Sequence, residues 1–169
     1  MGLLAGAAAT AFTVIGSLGA AVPAQASNYG FEINGTYRAT SKGEWARTNE
    51  VFIDEQTTVE TWTVNSSCTD PWTCTGQVTS DQGWTAPLRW DIDHWLVDRE
   101  IPNWEPCPDG TTATGYQKYY FYGKDQNTQL TNGASPVLGG EVTTQSRSGS
   151  CGINKPLFIK VPLRVEKIS

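Results

Sequence analysis

Leu157-Phe158-Ile159-Lys160-Val161-Pro162-Leu163-Arg164-Val165-Glu166 is the stretch whose reading decides the fold. Leu, Ile, Val, Leu and Val occupy its odd-numbered positions, while Phe, Lys, Pro, Arg and Glu occupy the even ones. A side-chain period of two belongs to a β-strand with one apolar and one mainly polar face. Pro162 cannot donate to a ladder, so an edge position or a bulge is expected there. Lys160 and Arg164 on the polar face would discourage pairing with a foreign edge.

The same vocabulary extends toward the N-terminus. Short runs rich in Thr, Val, Tyr and Trp are cut by Gly, Pro, Asn and Asp, and no helix-period segment follows Ala26. Strands are expected over 36–41, 57–64, 73–79, 88–90, 95–101, 115–122 and 141–145. Asn34-Gly35 is a turn signal ahead of the first. On the second, Trp62 and Val64 share a face. Asp91-Ile92-Asp93-His94 reads as a hairpin turn, and Pro102 is expected to stop the strand after it. Residues 132–140 read as loop, and 146–154 as a polar loop around Cys151. The strand over 115–122 carries rings on both faces, which suits a strand buried on both sides or lining a cavity. About seven to nine strands with short links give antiparallel order, since parallel neighbours need long crossovers. The fold class is therefore all-β. It is a small antiparallel β-barrel, lipocalin-like in outline, or a two-sheet β-sandwich, with the barrel preferred.

Residues 1–26 carry no charge and are rich in Ala, Gly, Leu and Val. They end in Pro23-Ala24-Gln25-Ala26, with small residues where a signal peptidase reads. The first basic residue is Arg38, so the usual basic start of such a segment is missing. The expectation is a signal peptide over 1–26, cleaved after Ala26, and one secreted β domain over 27–169. No stable membrane anchor would remain after cleavage. All four cysteines, Cys68, Cys74, Cys107 and Cys151, follow the signal, and an even count in an exported chain reads as two disulfides. Three pairings are possible. Cys68–Cys74 and Cys107–Cys151 is preferred, because Asp70, Pro71 and Trp72 can turn the chain between the first two. A zinc site is disfavoured by the wide Cys68 to Cys74 spacing and by His94 being the only histidine. No metal or other cofactor is expected.

The net charge of −5 argues against nucleic acid or an anionic membrane as partner, since both need a basic face. Seven tryptophans, all between Trp45 and Trp104, need an explanation. Buried aromatics are the commoner case. Trp62, Trp90 and Trp104 sit at strand or strand-end positions and read as core. Trp45 and Trp84 follow charged or glycine turns and read as exposed. With Trp95, Tyr116 and Tyr120 they form the candidate ligand-binding set.

Catalytic readings are thin. His94 beside Asp91 and Asp93 could be an oriented general base, but a solvated turn explains the same residues. No nucleophile-elbow motif is present. A glycosidase needs two carboxyl groups facing each other across a cleft, and Asp91, Asp93, Asp98, Glu100 and Glu105 are the candidates.

Several pieces resemble a family of small, four-cysteine exported proteins from mycobacteria and related actinobacteria. They are Asn65-Ser66-Ser67-Cys68 with Trp72-Thr73-Cys74-Thr75-Gly76, the hairpin from Trp90 to Trp95, and Trp104-Glu105-Pro106-Cys107-Pro108-Asp109-Gly110-Thr111. Tyr119-Tyr120-Phe121-Tyr122 and Ser148-Gly149-Ser150-Cys151-Gly152 continue the match, and Asn34-Gly35-Thr36-Tyr37 fits its start. The resemblance implies export and two disulfides. That family is functionally uncharacterised, so it implies no site residues.

The sequence thus points to a secreted or cell-envelope protein acting as a non-catalytic binding or interaction module. Its partner would be an apolar small molecule or a protein of the envelope or host. The alternative is an envelope carbohydrate hydrolase using a carboxylate pair.

Overall fold

The computed structural model describes residues 29–125 and 127–169, and the expected signal peptide over 1–26 lies outside them. Ten strands appear in chain order: β1 (Gly35–Ser41), β2 (Arg47–Thr48), β3 (Val51–Phe52), β4 (Thr58–Asp70) and β5 (Thr73–Ser80). They continue as β6 (Thr85–Asp91), β7 (His94–Pro106), β8 (Thr112–Tyr122), β9 (Val137–Gln145) and β10 (Phe158–Lys167). Eight of them pair antiparallel in the order β1-β4-β5-β6-β7-β8-β9-β10. The sheet closes on itself where β1 meets β10, from Tyr37↔Lys167 to Ser41↔Leu163. A sandwich would keep open edges, whereas this pairing removes them, so the fold is a closed barrel. The two remaining strands, β2 and β3, form a small hairpin that hangs from Ile159 and Lys160 of β10.

The period of two read from the last strand runs right round the barrel. Tyr37, Trp62, Val64, Val78, Leu88, Trp95, Val97, Tyr119, Phe121, Leu138, Leu163 and Val165 point inward and are buried. Each large apolar side chain withdrawn from water in this way stabilises the barrel by about 1.5–3 kcal/mol. One end is closed. Ile33 and Ser66 exchange two hydrogen bonds there, both at 2.9 Å, which draws the segment before β1 across the opening. Phe31 packs on Trp90 at 5.4 Å, and the Trp95 indole N–H donates to the Gly133 carbonyl at 3.1 Å. The Cys68–Cys74 disulfide staples the β4–β5 hairpin, and Cys107–Cys151 ties the far end of the β7–β8 hairpin to the turn at Ser150–Gly152. Both pairings agree with the sequence reading.

Three expectations need correction. Pro102 does not stop its strand, because β7 runs on to Pro106. The ladder passes from Ile101↔Gly115 to Glu105↔Ala113, so residues 102–104 bulge out opposite a single residue. A proline inside that bulge loses no ladder bond. Nor is the segment over 132–140 all loop, since β9 begins at Val137. Its glycine pair hides a strand: Gly140 lies so close to β8 that a Cβ there would stand 1.9 Å from the Tyr120 carbonyl oxygen. Finally, of the edge or bulge expected at Pro162, the edge is excluded, and the residue sits at a one-sided break in the ladder. It pairs with Glu141 of β9 on one side. On the other it falls between the residues paired with β2 and those paired with β1.

Candidate functional site

The end of the barrel opposite Ile33 stays open. A cavity of about 300 Å³ lies in this mouth. Strand parity decides what lines it. Glu60 shares a face with Trp62, Arg99 with Trp95 and Val97, and Gln117 with Tyr119 and Phe121. Each is the inward residue one step nearer the mouth than an aromatic or apolar core residue. Charged and polar groups therefore enter the barrel where the core ends.

The floor of the mouth is aromatic. Trp62 meets Tyr119 edge-on at 5.1 Å and Trp84 edge-on at 5.8 Å, while Trp84 and Tyr119 stack at 5.7 Å. Glu60 Oε2 joins this floor to the wall. It accepts the indole N–H groups of Trp62 and Trp84, both at 3.0 Å, and the Ser80 hydroxyl at 2.6 Å. The Arg99 guanidinium lies 4.4 Å over the Trp84 ring, a cation–π contact. No carboxylate stands within ion-pair distance of Arg99 among the described residues, and its Nε is buried without a hydrogen-bond partner. A relay crosses the opposite wall. The Tyr119 hydroxyl donates to Gln117 Oε1 at 2.8 Å, and Gln117 Nε2 donates to Thr144 Oγ1 at 3.0 Å. Burial pushes the Tyr119 phenol well above its ordinary range, the Glu60 charge adds to this, and Arg99 opposes it. Val142, Ile159 and Val161 give the cavity an apolar side, and Trp104 borders it from the β7 bulge.

The five aromatics singled out from sequence lie in different places. Trp84 is at the mouth, half-buried. Trp95 is fully buried in the core. Trp45 is 60 % exposed and borders an outer groove with Phe52. Tyr120 faces outward, 4.0 Å from the His94 ring. Tyr116 also faces outward, under the Arg147 guanidinium at 4.5 Å. Of the expected core tryptophans, Trp62 and Trp90 are buried, whereas Trp104 is only half-buried.

The candidate carboxylates do not assemble a hydrolase cleft. Asp91 and Asp93 sit in the turn at the closed end, where Asp93 meets His94 Nδ1 at 2.7 Å. Asp98 and Glu100 share a shallow outer depression with Tyr116, which neither Trp84 nor Trp95 borders. Asp98 is paired there with Arg89 and, at 3.7 Å, with Lys118. Glu105 lies beyond the bulge, opposite Ala113. Among the described residues, no three His, Cys, Asp or Glu side chains gather closely enough to hold a metal ion.

No family model matches the chain, and no curated protein does. Solved structures do. One is the monomer form of the M. tuberculosis PknI sensor domain, which is 12 % identical to this chain. The match has a TM-score of 0.58 and covers 82 % of this chain and 88 % of that one. At this identity the likeness is one of fold: the chain shares its barrel architecture with that domain.

Proposed function

We propose that this chain is an exported, non-catalytic binding module that takes a small ligand in the mouth of its barrel. The single observation that carries this reading is Arg99, a cation in the cavity that forms no ion pair and whose Nε has no hydrogen-bond partner among the described residues. Arg99 is partly buried with its Nε fully buried, and a charge so placed without a partner in a concave site marks a place for a ligand. Two disulfides with no free cysteine suit an oxidising compartment, which supports export to the envelope or beyond. The barrel-type fold shared with a mycobacterial sensor domain fits a sensing or binding role. The filled core confines an apolar ligand to the mouth. The hydrolase reading loses its support with the scattering of its carboxylates.

The test is the native mass of the chain purified from its own culture fluid, before and after organic extraction. The expected result is a small-molecule excess that extraction removes and that the Arg99→Met protein lacks. Wild-type protein with no excess, or an excess that Arg99→Met retains, overturns the mouth as the site.

A second reading, a protein partner, is favoured by Trp45, Val51 and Phe52, which are 60 %, 61 % and 61 % exposed around the β2–β3 hairpin. Clustered exposed apolar groups of this kind mark interaction surfaces.

A further inference from the structure

We infer that the mouth binds the carboxylate of a monocarboxylic acid of short to medium chain length, about eight carbons. The carboxylate would sit on Arg99 and Thr144, and the chain against Val142, Ile159 and Val161. This names the ligand class for the site proposed above and rests on that reading.

Among the donors that line the cavity, one is charged and one sits on a buried residue, and neither has an acceptor among the described residues. The first is the Arg99 guanidinium, whose planar fork matches a carboxylate. The second is the Thr144 hydroxyl. Its oxygen already accepts from Gln117, and Gln117 accepts from Tyr119, so the relay runs one way toward Thr144. The hydroxyl hydrogen is left to donate, and no acceptor for it lies within hydrogen-bond distance among the described residues. Thr144 is 6 % exposed, so bulk water is a poor substitute. Both groups line the same cavity.

Charge narrows the anion. Glu60 and Glu55 also line the mouth, against the one cation. A second negative charge on the ligand would meet them, which disfavours dicarboxylates and phosphates. The Glu60 Oε2 is already engaged by three donors and makes no ion pair with the guanidinium, which stacks instead on the Trp84 face. The remaining wall selects the tail. Val142, Ile159 and Val161 offer no hydrogen bonds, so a sugar would leave hydroxyls unmet against them, whereas a hydrocarbon chain would not. Size sets the length. At the roughly 30 Å³ that a water-sized group occupies in a liquid, the cavity holds about ten heavy atoms. Octanoate has that number. The packed floor of Trp62, Tyr119 and Phe121 stops anything longer from going deeper.

The experiment is calorimetric titration of the extracted, refilled-free protein with hexanoate, octanoate, decanoate and tetradecanoate, with octylamine and octanol as head-group controls. Affinity should rise about fourfold per methylene up to octanoate and then level off. Octylamine and octanol should bind at least about tenfold more weakly than octanoate. Arg99→Met should weaken octanoate about 10- to 100-fold, as expected for losing hydrogen bonds to a charged group. Thr144→Val keeps the side-chain shape and should weaken it about fivefold. That variant carries the test if Arg99→Met fails to fold. Equal binding of octylamine, affinity still climbing at tetradecanoate, or an unchanged Kd in both variants overturns the inference. If no carboxylate binds while purified protein still carries an Arg99-dependent mass excess, the ligand class is wrong and the binding module stands. If neither is found, both readings fall.

Discussion

The guanidinium of Arg99 rests 4.4 Å above the ring of Trp84. The same ring gives its N–H to Glu60 at 3.0 Å, so one tryptophan positions a cation on its face and an anion at its edge. Cation and anion are thereby held in one mouth without forming an ion pair. Stacking also restricts a side chain that would otherwise lose much rotamer entropy on binding a ligand.

Glu60 should matter to stability more than its half-exposed position suggests. Glu60→Gln keeps the shape and one oxygen able to accept, and should cost about 1 kcal/mol. Glu60→Leu removes the acceptor for Trp62 Nε1 and Ser80 Oγ, both on buried residues, and should cost about 3 kcal/mol. Urea denaturation of the two variants distinguishes them. Equal losses would mean that the three hydrogen bonds to Oε2 contribute little.

Much of the barrel is legible in the sequence, and so is its polar mouth. The alternation read over Leu157 to Val165 shows in the burial of β10 from Val161 to Val165, and the Asp91 to His94 turn lies where its composition puts it. Glu60, Arg99 and Gln117 carry the same signal. Each stands two residues from a core residue on its own strand: Trp62, Val97 and Tyr119. A charged or amide group on the inward face of a strand is the mark of a polar site inside a barrel. Aromatic richness points instead to Trp45, Trp95, Tyr116 and Tyr120, which burial and strand parity scatter to the core and the outer wall. What sequence could not give was closure. Whether β1 pairs with β10 depends on strand tilt and stagger around the whole sheet, and no local pattern encodes these.

Gly139 and Gly140 are neighbours with opposite demands. A Cβ on Gly140 would meet the Tyr120 carbonyl oxygen at 1.9 Å and the Phe121 Cα at 2.7 Å. A Cβ on Gly139 would meet nothing within 4 Å. Gly140→Ala should therefore separate β8 from β9 and cost about 3 kcal/mol or more, as overpacking against backbone does. Gly139→Ala should stay within about 0.5 kcal/mol of wild type. Thermal melts of the two proteins check this, and similar melting temperatures would mean that β9 has room the structure denies it.

The two disulfides close loops of very different length, with separations of 6 and 44 residues. Chain entropy alone gives about 2.4 kcal/mol for Cys68–Cys74 and about 4 kcal/mol for Cys107–Cys151. Replacing each pair by serine should reproduce that order in urea midpoints. The reverse order would show that the short staple on the long β4–β5 hairpin holds native structure directly and does not act mainly through the unfolded chain.

Alkaline pH should unfold the protein through its buried phenols. Burial raises Tyr119 and Tyr37 above the ordinary tyrosine value near 10, and Glu60 raises Tyr119 further. In the unfolded chain these groups lose their protons near pH 10, while the folded chain still holds them. Above about pH 10 the unfolded state therefore binds fewer protons, and stability falls as pH rises. Below that value both states keep the phenols neutral, and these groups add no slope. Urea midpoints measured from about pH 8 to about pH 11 should be flat at first and then decline. Tyr119→Phe removes the larger shift along with the hydroxyl that starts the relay to Thr144, so its midpoint should start lower and decline less steeply. If the two proteins lose midpoint at the same rate above pH 10, the Tyr119 phenol is not held in the dry, anionic setting that Trp62, Trp84 and Glu60 give it.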